Sequence, residues 1–181
     1  MTDVCNEEKG EETVSAHSPQ LTDARILDEI KKCRFTHVVW LPATGNNVLY
    51  ESLMRQPEIT MVPVCREGEA IGIAAGLTWG GKNPLVLHQN TGFFESGDSI
   101  RGIAMGTKLP LLIMLGYRGW KRDAPMVDTA AIFTEPILKG WGINYYLVTS
   151  DADVEKISLG YKEAHETRKP VVILVGREYK P

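Results

Sequence analysis

The sequence predicts an α/β fold, a three-layer sandwich with a mainly parallel sheet between two layers of helices. Two observations carry this. The apolar runs are short and unbroken rather than alternating, as in strands covered on both faces. They also alternate along the chain with helical segments, the order that gives parallel strands joined by right-handed crossovers. At 181 residues the chain suits one domain with a proper core, and 43% hydrophobic with 24% charged residues is an ordinary globular composition.

Residues 1–20 mix Glu, Ser, Asp, Gly and Pro with almost no large apolar side chains, so they read as a disordered tail ahead of a domain over 21–181. A helix over Leu21 to Cys33 leads to a strand at His37 to Leu41. The loop Pro42 to Asn46 precedes a helix near Asn47 to Arg55, then a strand at Ile59 to Val64 and a helix at Gly68 to Trp79. A strand at Pro84 to His88 runs into a polar, Gly-rich loop, Gln89 to Gly97, after which Asp98 can cap a helix reaching Met105. Pro110 to Leu115 is a buried strand, and Gly116 to Asp128 a long loop with basic and polar residues. Helix Ala130 to Lys139, strand Asn144 to Val148, helix Val154 to Thr167 and strand Pro170 to Val175 complete the pattern. Open sheets of this kind gather ligands beyond the carboxyl ends of their strands. That rule selects Pro42 to Asn46, Cys65 to Glu67, Gln89 to Gly97 and Gly116 to Asp128 as candidate site surfaces.

Several classes are disfavoured. A formal net charge of -3 gives no electrostatic case for nucleic acid or an anionic membrane. Cys5, Cys33 and Cys65 lack Cys-x-x-Cys spacing, and His17, His37, His88 and His165 lack metal-ligand spacing. Of the histidines, His88 at a strand end is the one that suggests a site. The apolar run Leu109 to Leu115 falls far short of the roughly 20 residues that span a bilayer. The acidic N-terminus has no apolar signal region, so a cytoplasmic protein is expected. There is no Gly-x-Gly-x-x-Gly after the first strand and no Gly-x-Ser-x-Gly elbow; Gly106-Thr107-Lys108 follows a helix and is no phosphate loop.

The informative segment is Cys65 to Gly76. It places Glu67 between an apolar strand and a helix of small residues, with Gly72, Ala75 and Gly76 at helical spacing, where another backbone or subunit can approach. A carboxylate at such a junction is expensive to leave without a partner. One ordinary explanation is that Glu67 complements the helix dipole.

Arg66-Glu67-Gly68-Glu69-Ala70 through Ala74-Ala75-Gly76, then Lys82 to Leu87, Gln89-Asn90-Thr91-Gly92 and the turn Arg118-Gly119 together resemble the pyrimidine-binding domain of thiamine diphosphate enzymes. Within that family they look most like 2-oxo acid decarboxylases acting on sulfopyruvate, whose alpha subunit corresponds, and on phosphonopyruvate. The resemblance covers roughly Leu21 to Val175. It implies that Glu67 hydrogen-bonds the aminopyrimidine and favours the tautomer that activates the thiazolium carbon for decarboxylation. Glu69 is the rival; residues two apart on a helix lie about 200° apart, so both cannot face one ring. Thr44, Gln89, Asn90 and Thr91 are the further cofactor-binding candidates, although the last three could equally be loop caps. Arg118, His88 and Arg122 are the substrate-binding candidates; a guanidinium suits a sulfonate or phosphonate, while Lys121 and Arg122 could as well be solvated. Phe93-Phe94 departs from the small residues expected in that loop.

The family's Gly-Asp-Gly…Asn motif is absent, Gly97-Asp98-Ser99 being the nearest string. The implied enzyme therefore has its Mg2+ and diphosphate held by a beta subunit carrying that motif. Its substrate would be a small anionic 2-oxo acid. A split carboligase or lyase subunit, and a non-catalytic regulatory subunit, are the alternatives.

Overall fold

The computed structural model describes residues 20–42 and 47–177. The tail expected over 1–20 lies almost wholly outside the described residues, and so does the candidate Thr44.

Six strands form one sheet, all parallel: β1 (His37–Trp40), β2 (Thr60–Pro63), β3 (Pro84–Gln89), β4 (Leu112–Gly116), β5 (Tyr145–Val148) and β6 (Val171–Val175), in the spatial order β2-β1-β3-β4-β6-β5. Every strand foreseen from the sequence is present, with ends shifted by one or two residues. The central strands β4 and β6 are buried along their whole length, which is why their apolar runs are unbroken.

Period-two alternation sends each strand's side chains to two separate cores. On one face, Val39, Val86, Ile113, Leu115, Val172 and Leu174 pack beneath α3 (Glu67–Trp79), α4 (Asn90–Glu95) and α6 (Thr129–Trp141). On the other, Val38, Leu85, Leu87, Met114 and Ile173 meet α1 (Asp23–Lys32), α2 (Asn47–Met54) and α7 (Glu155–Thr167). Helix ends follow local chemistry. Thr22 caps α1 by accepting from Arg25 N, Asp128 caps α6 by accepting from Ala130 N at 2.9 Å, and α6 stops at Gly142 with φ 66°.

Two expectations are corrected. Gln89 to Gly97 is not a loop. Gln89, with extended φ −99° and ψ 166°, ends β3 and immediately starts the helix α4. The reason is tertiary: Phe93 is fully buried and Ser96 bonds back to the Gly92 carbonyl at 2.8 Å, which holds a polar, glycine-containing segment helical. Asp98, in turn, does not cap a helix. It lies inside the short helix α5 (Gly97–Ser99), followed by a π-helical turn over Ile100–Met105. With the preceding chain already helical, Asp98 instead pairs with Arg101 at 2.6 Å.

On α3, Ala75 is buried in the core while Gly72 and Gly76 face outward, with no atom near the position a Cβ would take. The small-residue face is therefore not filled by any of the described residues. Ile73 and Trp79, at 37% and 66% exposure, lie on the same helix.

Candidate active site

The carboxyl edge of the sheet brings together the start of α3, the start of α4 and the turn after β4. At α3, Arg66 has extended backbone angles (φ −143°, ψ 144°), and Glu67 is the first helical residue. The first turn of a helix leaves N–H groups without intrahelical partners. Two acids other than Glu67 serve this junction. Glu69 reaches back to accept from Cys65 N at 3.1 Å and Arg66 N at 3.2 Å. Glu95, from the end of α4, accepts from Gly68 N at 2.7 Å and from Arg66 Nε at 2.9 Å. The Arg66 guanidinium and then the Gly68 N–H hold the Glu95 carboxyl below its usual range.

Glu67 is half-buried and makes no hydrogen bond among the described residues. Its side chain lies over Gly92 of α4. A Cβ there would overlap Glu67 Cγ and stand 2.7 Å from Oε1 and 2.8 Å from Cδ, so only glycine leaves room for the carboxylate. Glu69 and Glu95 thus make the hydrogen bonds of the helix start, while Glu67, also in the first turn, makes none among the described residues.

Asn90 is fully buried at the start of α4. Its Nδ2 donates to the Arg118 carbonyl at 3.0 Å and to Thr134 Oγ1 at 3.3 Å. Thr134 spends its own proton on the Ala130 carbonyl at 2.6 Å, which fixes the orientation of the Asn90 amide. Asn90 Oδ1 is buried with no partner among the described residues. Gln89 and Thr91 are half-buried on either side, and the Gln89 side chain caps nothing.

Arg118 leaves β4 through a tight turn closed by Trp120 N donating to the Tyr117 carbonyl at 3.1 Å. Gly119 takes φ 81°, and a Cβ there would lie 3.0 Å from Asp128 Cγ and 3.2 Å from Ala131 Cβ. Arg118 Nε donates to Asp128 Oδ2 at 3.2 Å while Asp128 Oδ1 caps α6. The two terminal nitrogens of Arg118 have no partner among the described residues. Arg118, Asp128, Thr91, Phe94 and Phe133 line a cleft of about 440 Å3 between α4 and α6.

The structure separates the other candidates. Arg122 donates to the Thr149 carbonyl at 3.0 Å and lies over the Trp120 ring at 5.4 Å, at the end of β5 and not in the Arg118 cleft. His88 is 1% exposed, with Nδ1 against the Gln89 carbonyl at 3.1 Å and Nε2 without a partner among the described residues. Burial drives its pKa down to about 4. Phe93 belongs to the core, whereas Phe94 walls the cleft. Sequence reasoning missed Glu95, Asp128 and Thr134. Asp128 could have been found from Asp-Thr-Ala-Ala, a cap signal before a helix; Glu95 and Thr134 depend on contacts that no local pattern announces.

No family model matches the chain. Sulfopyruvate decarboxylase subunit alpha of Methanococcus maripaludis is 32% identical over 147 residues, covering 78% of this chain and 86% of that protein. The chain belongs to the sulfopyruvate decarboxylase alpha-subunit family. Sulfopyruvate decarboxylase of Methanosarcina acetivorans is 27% identical over 121 residues, which cover 66% of this chain and 30% of that longer protein. Benzoylformate decarboxylase from Polynucleobacter necessarius superposes with a TM-score of 0.64 at 19% identity, over 87% of this chain and 32% of that one. Family and fold together make this a subunit of a thiamine diphosphate-dependent decarboxylase with the thiamine diphosphate-binding fold. Among the described residues no helix is long and apolar enough to cross a membrane.

The buried His88 gives this subunit a testable acid response. Its folded-state pKa lies below the ordinary 6.5, so the unfolded chain binds the proton first and stability falls as pH drops from 6.5 towards 4. The full effect is about 3 kcal/mol, at about 1.4 kcal/mol per pH unit. Thermal melts of wild type and His88→Gln across pH 4 to 7.5 should show a shallower acid decline in the variant. Parallel curves would refute the buried neutral imidazole.

Proposed function

We propose that this chain is the pyrimidine-binding half of a 2-oxo acid decarboxylase that acts on sulfopyruvate or phosphonopyruvate together with a diphosphate-binding partner. One observation carries the reading. Glu67 stands unbonded at the start of α3, seated by Gly92, while Glu69 and Glu95 take the neighbouring donors. The residues fit the cofactor: an unbonded carboxylate at Glu67 is what a protonated ring nitrogen of an aminopyrimidine would satisfy. When bound, thiamine diphosphate supplies the electron sink for loss of carbon dioxide.

Glu67 would accept the hydrogen bond of a protonated ring nitrogen in a bound aminopyrimidine, favouring the imino tautomer that activation requires. Asn90 anchors the start of α4 to the Arg118 turn and to Thr134, and Gln89 and Thr91 border the approach. Thr44 keeps its cofactor role on the resemblance alone. Arg118 presents its two terminal nitrogens to the anionic tail of the substrate, held in position through Nε by Asp128. Asp128 has one oxygen on this guanidinium and the other on the cap, so it orients Arg118 without occupying its outer edge. His88 acts through the packing of the β3 end, and Arg122 is assigned to the Thr149 segment and not to substrate.

Magnesium and the diphosphate are assigned to a beta subunit with a Gly-Asp-Gly…Asn motif. The support is the absence of that motif from this sequence and the designation of the Methanococcus maripaludis relative as subunit alpha. The outward face of α3, with Gly72, Gly76, Ile73 and Trp79, gives such a partner an apolar surface of low relief.

Three outcomes test the reading. The purified chain alone should bind thiamine diphosphate weakly and turn over no sulfopyruvate with excess Mg2+; brisk turnover would end the two-subunit scheme. In the reconstituted complex, Glu67→Gln should reduce kcat by about 10²–10⁴ while Glu69→Gln lowers Tm and leaves kcat within a few-fold. A reversal of these effects would move the catalytic role to Glu69. Arg118→Lys removes the fork but keeps the charge, and should cost about 1.5–3 kcal/mol in kcat/KM for sulfopyruvate and phosphonopyruvate. Activity on pyruvate should change far less, and equal losses on all three acids would place Arg118 outside substrate recognition.

A further inference from the structure

At the opposite, amino edge of the sheet, the segments entering β4, β5 and β6 enclose a second cleft of about 300 Å3. Its lining is apolar at depth, from Trp141, Met105 and the buried Ile143 and Pro170. Exposed at its mouth stand three cations, Lys108, Arg168 and Lys169, and no carboxylate lines it.

Basic residues at helix ends ordinarily complement the last carbonyls. Here the backbone does that work: Lys108 N donates to the Met105 carbonyl at 3.1 Å and Lys169 N to the Ala164 carbonyl at 3.2 Å. None of the three side chains has a hydrogen bond or ion pair among the described residues. Glu163, in the adjoining depression, is engaged by Asn144 and Tyr146.

The backbone at two of these cations is left-handed. Lys108 and Arg168 have φ 55° and 53°, a left-handed conformation unfavourable for any residue with a Cβ. Gly142, lining the same cleft with φ 66°, uses the residue that adopts this conformation freely. Lys108 and Arg168 thus place a long cation where glycine would be less strained, as Arg34 also does at φ 54° after α1, outside the cleft.

We propose that this cleft binds a small organic anion with a flat apolar body, the body against Trp141 and the anionic group between Lys108, Arg168 and Lys169. A volume of this size suits a single aryl ring with one substituent. The Trp141 ring also packs on Phe93, 5.7 Å between centroids, and Phe93 adjoins the Gly92 that seats Glu67. The site is independent of the catalytic assignment and lies at the other edge of the sheet.

The test uses the full chain and three probes: phenyl phosphate, inorganic phosphate and phenol. Backbone amide NMR titration should show saturable phenyl phosphate binding with shifts at Lys108, Leu109, Ile143 and Lys169. The two fragments should bind about tenfold or more weakly, since each lacks one half of the recognition. The double variant Lys108→Asn, Arg168→Asn removes both charges but keeps a residue that tolerates the left-handed conformation, so Tm should hold while affinity falls about tenfold. Unchanged affinity in that variant, shifts confined to Thr91, Arg118 and Thr129, or no saturation by about 10 mM would each overturn the proposal.

Discussion

The start of α3 is the point on which the rest of the site depends, because a helix N-terminus draws in whatever carboxylates can reach it. Glu67 could be consumed there as one more cap, a role ordinarily worth about 0.5–2 kcal/mol. Its neighbours prevent this. Glu69 folds back onto Cys65 and Arg66, and Glu95 arrives from α4 to take the Gly68 N–H and the Arg66 side chain. Glu95 reaches that position only because α4 begins at once after β3, and α4 can lie so close to α3 only because residue 92 is glycine. Capping, strand order and one missing side chain therefore act together to leave a single carboxylate unspent.

The same edge holds buried polar groups that lack hydrogen-bond partners among the described residues. Asn90 Oδ1 and His88 Nε2 are both buried without partners, each a cost of about 1–3 kcal/mol set against the stability of the fold. They lie within three residues of each other at the end of β3, next to the α4 start. Arg118 and Asp128 form the second half of this edge, where the φ of Gly119 turns the chain so that the guanidinium lies beside the α6 cap. Exposed ion pairs of this type add little stability, so the value of the pair lies in orientation.

Much of this was legible in the residues. Unbroken apolar runs alternating with helical segments required a parallel sheet with two covered faces, and β3, β4 and β6 are buried in that way. The Cys65 to Gly76 segment identified Glu67 as a carboxylate at a strand-to-helix junction. Local composition misled at Gln89 to Gly97, where polar residues and glycines suggested a loop. Burial of Phe93 and the Asn90 anchor to Arg118 and Thr134 outweigh that local preference. Asp98 failed as a cap for a related reason, since a cap needs a non-helical residue before a new helix and the chain there is already helical.

By itself the sequence determined the fold class, the strands and the residue types at the carboxyl edge, because these follow from periodicity and from short-range chemistry. It favoured Glu67 over Glu69 through the position of the helix glycine, and Arg118 over Arg122 through its place directly after a buried strand. The partners that distinguish these side chains come from residues far apart in the chain: Glu95 against Gly68, Gly92 beneath Glu67, Asp128 beside Arg118, and the Thr149 carbonyl accepting from Arg122. A side chain's role is set by which hydrogen-bond partners remain open to it, and only tertiary packing decides which partners are already taken.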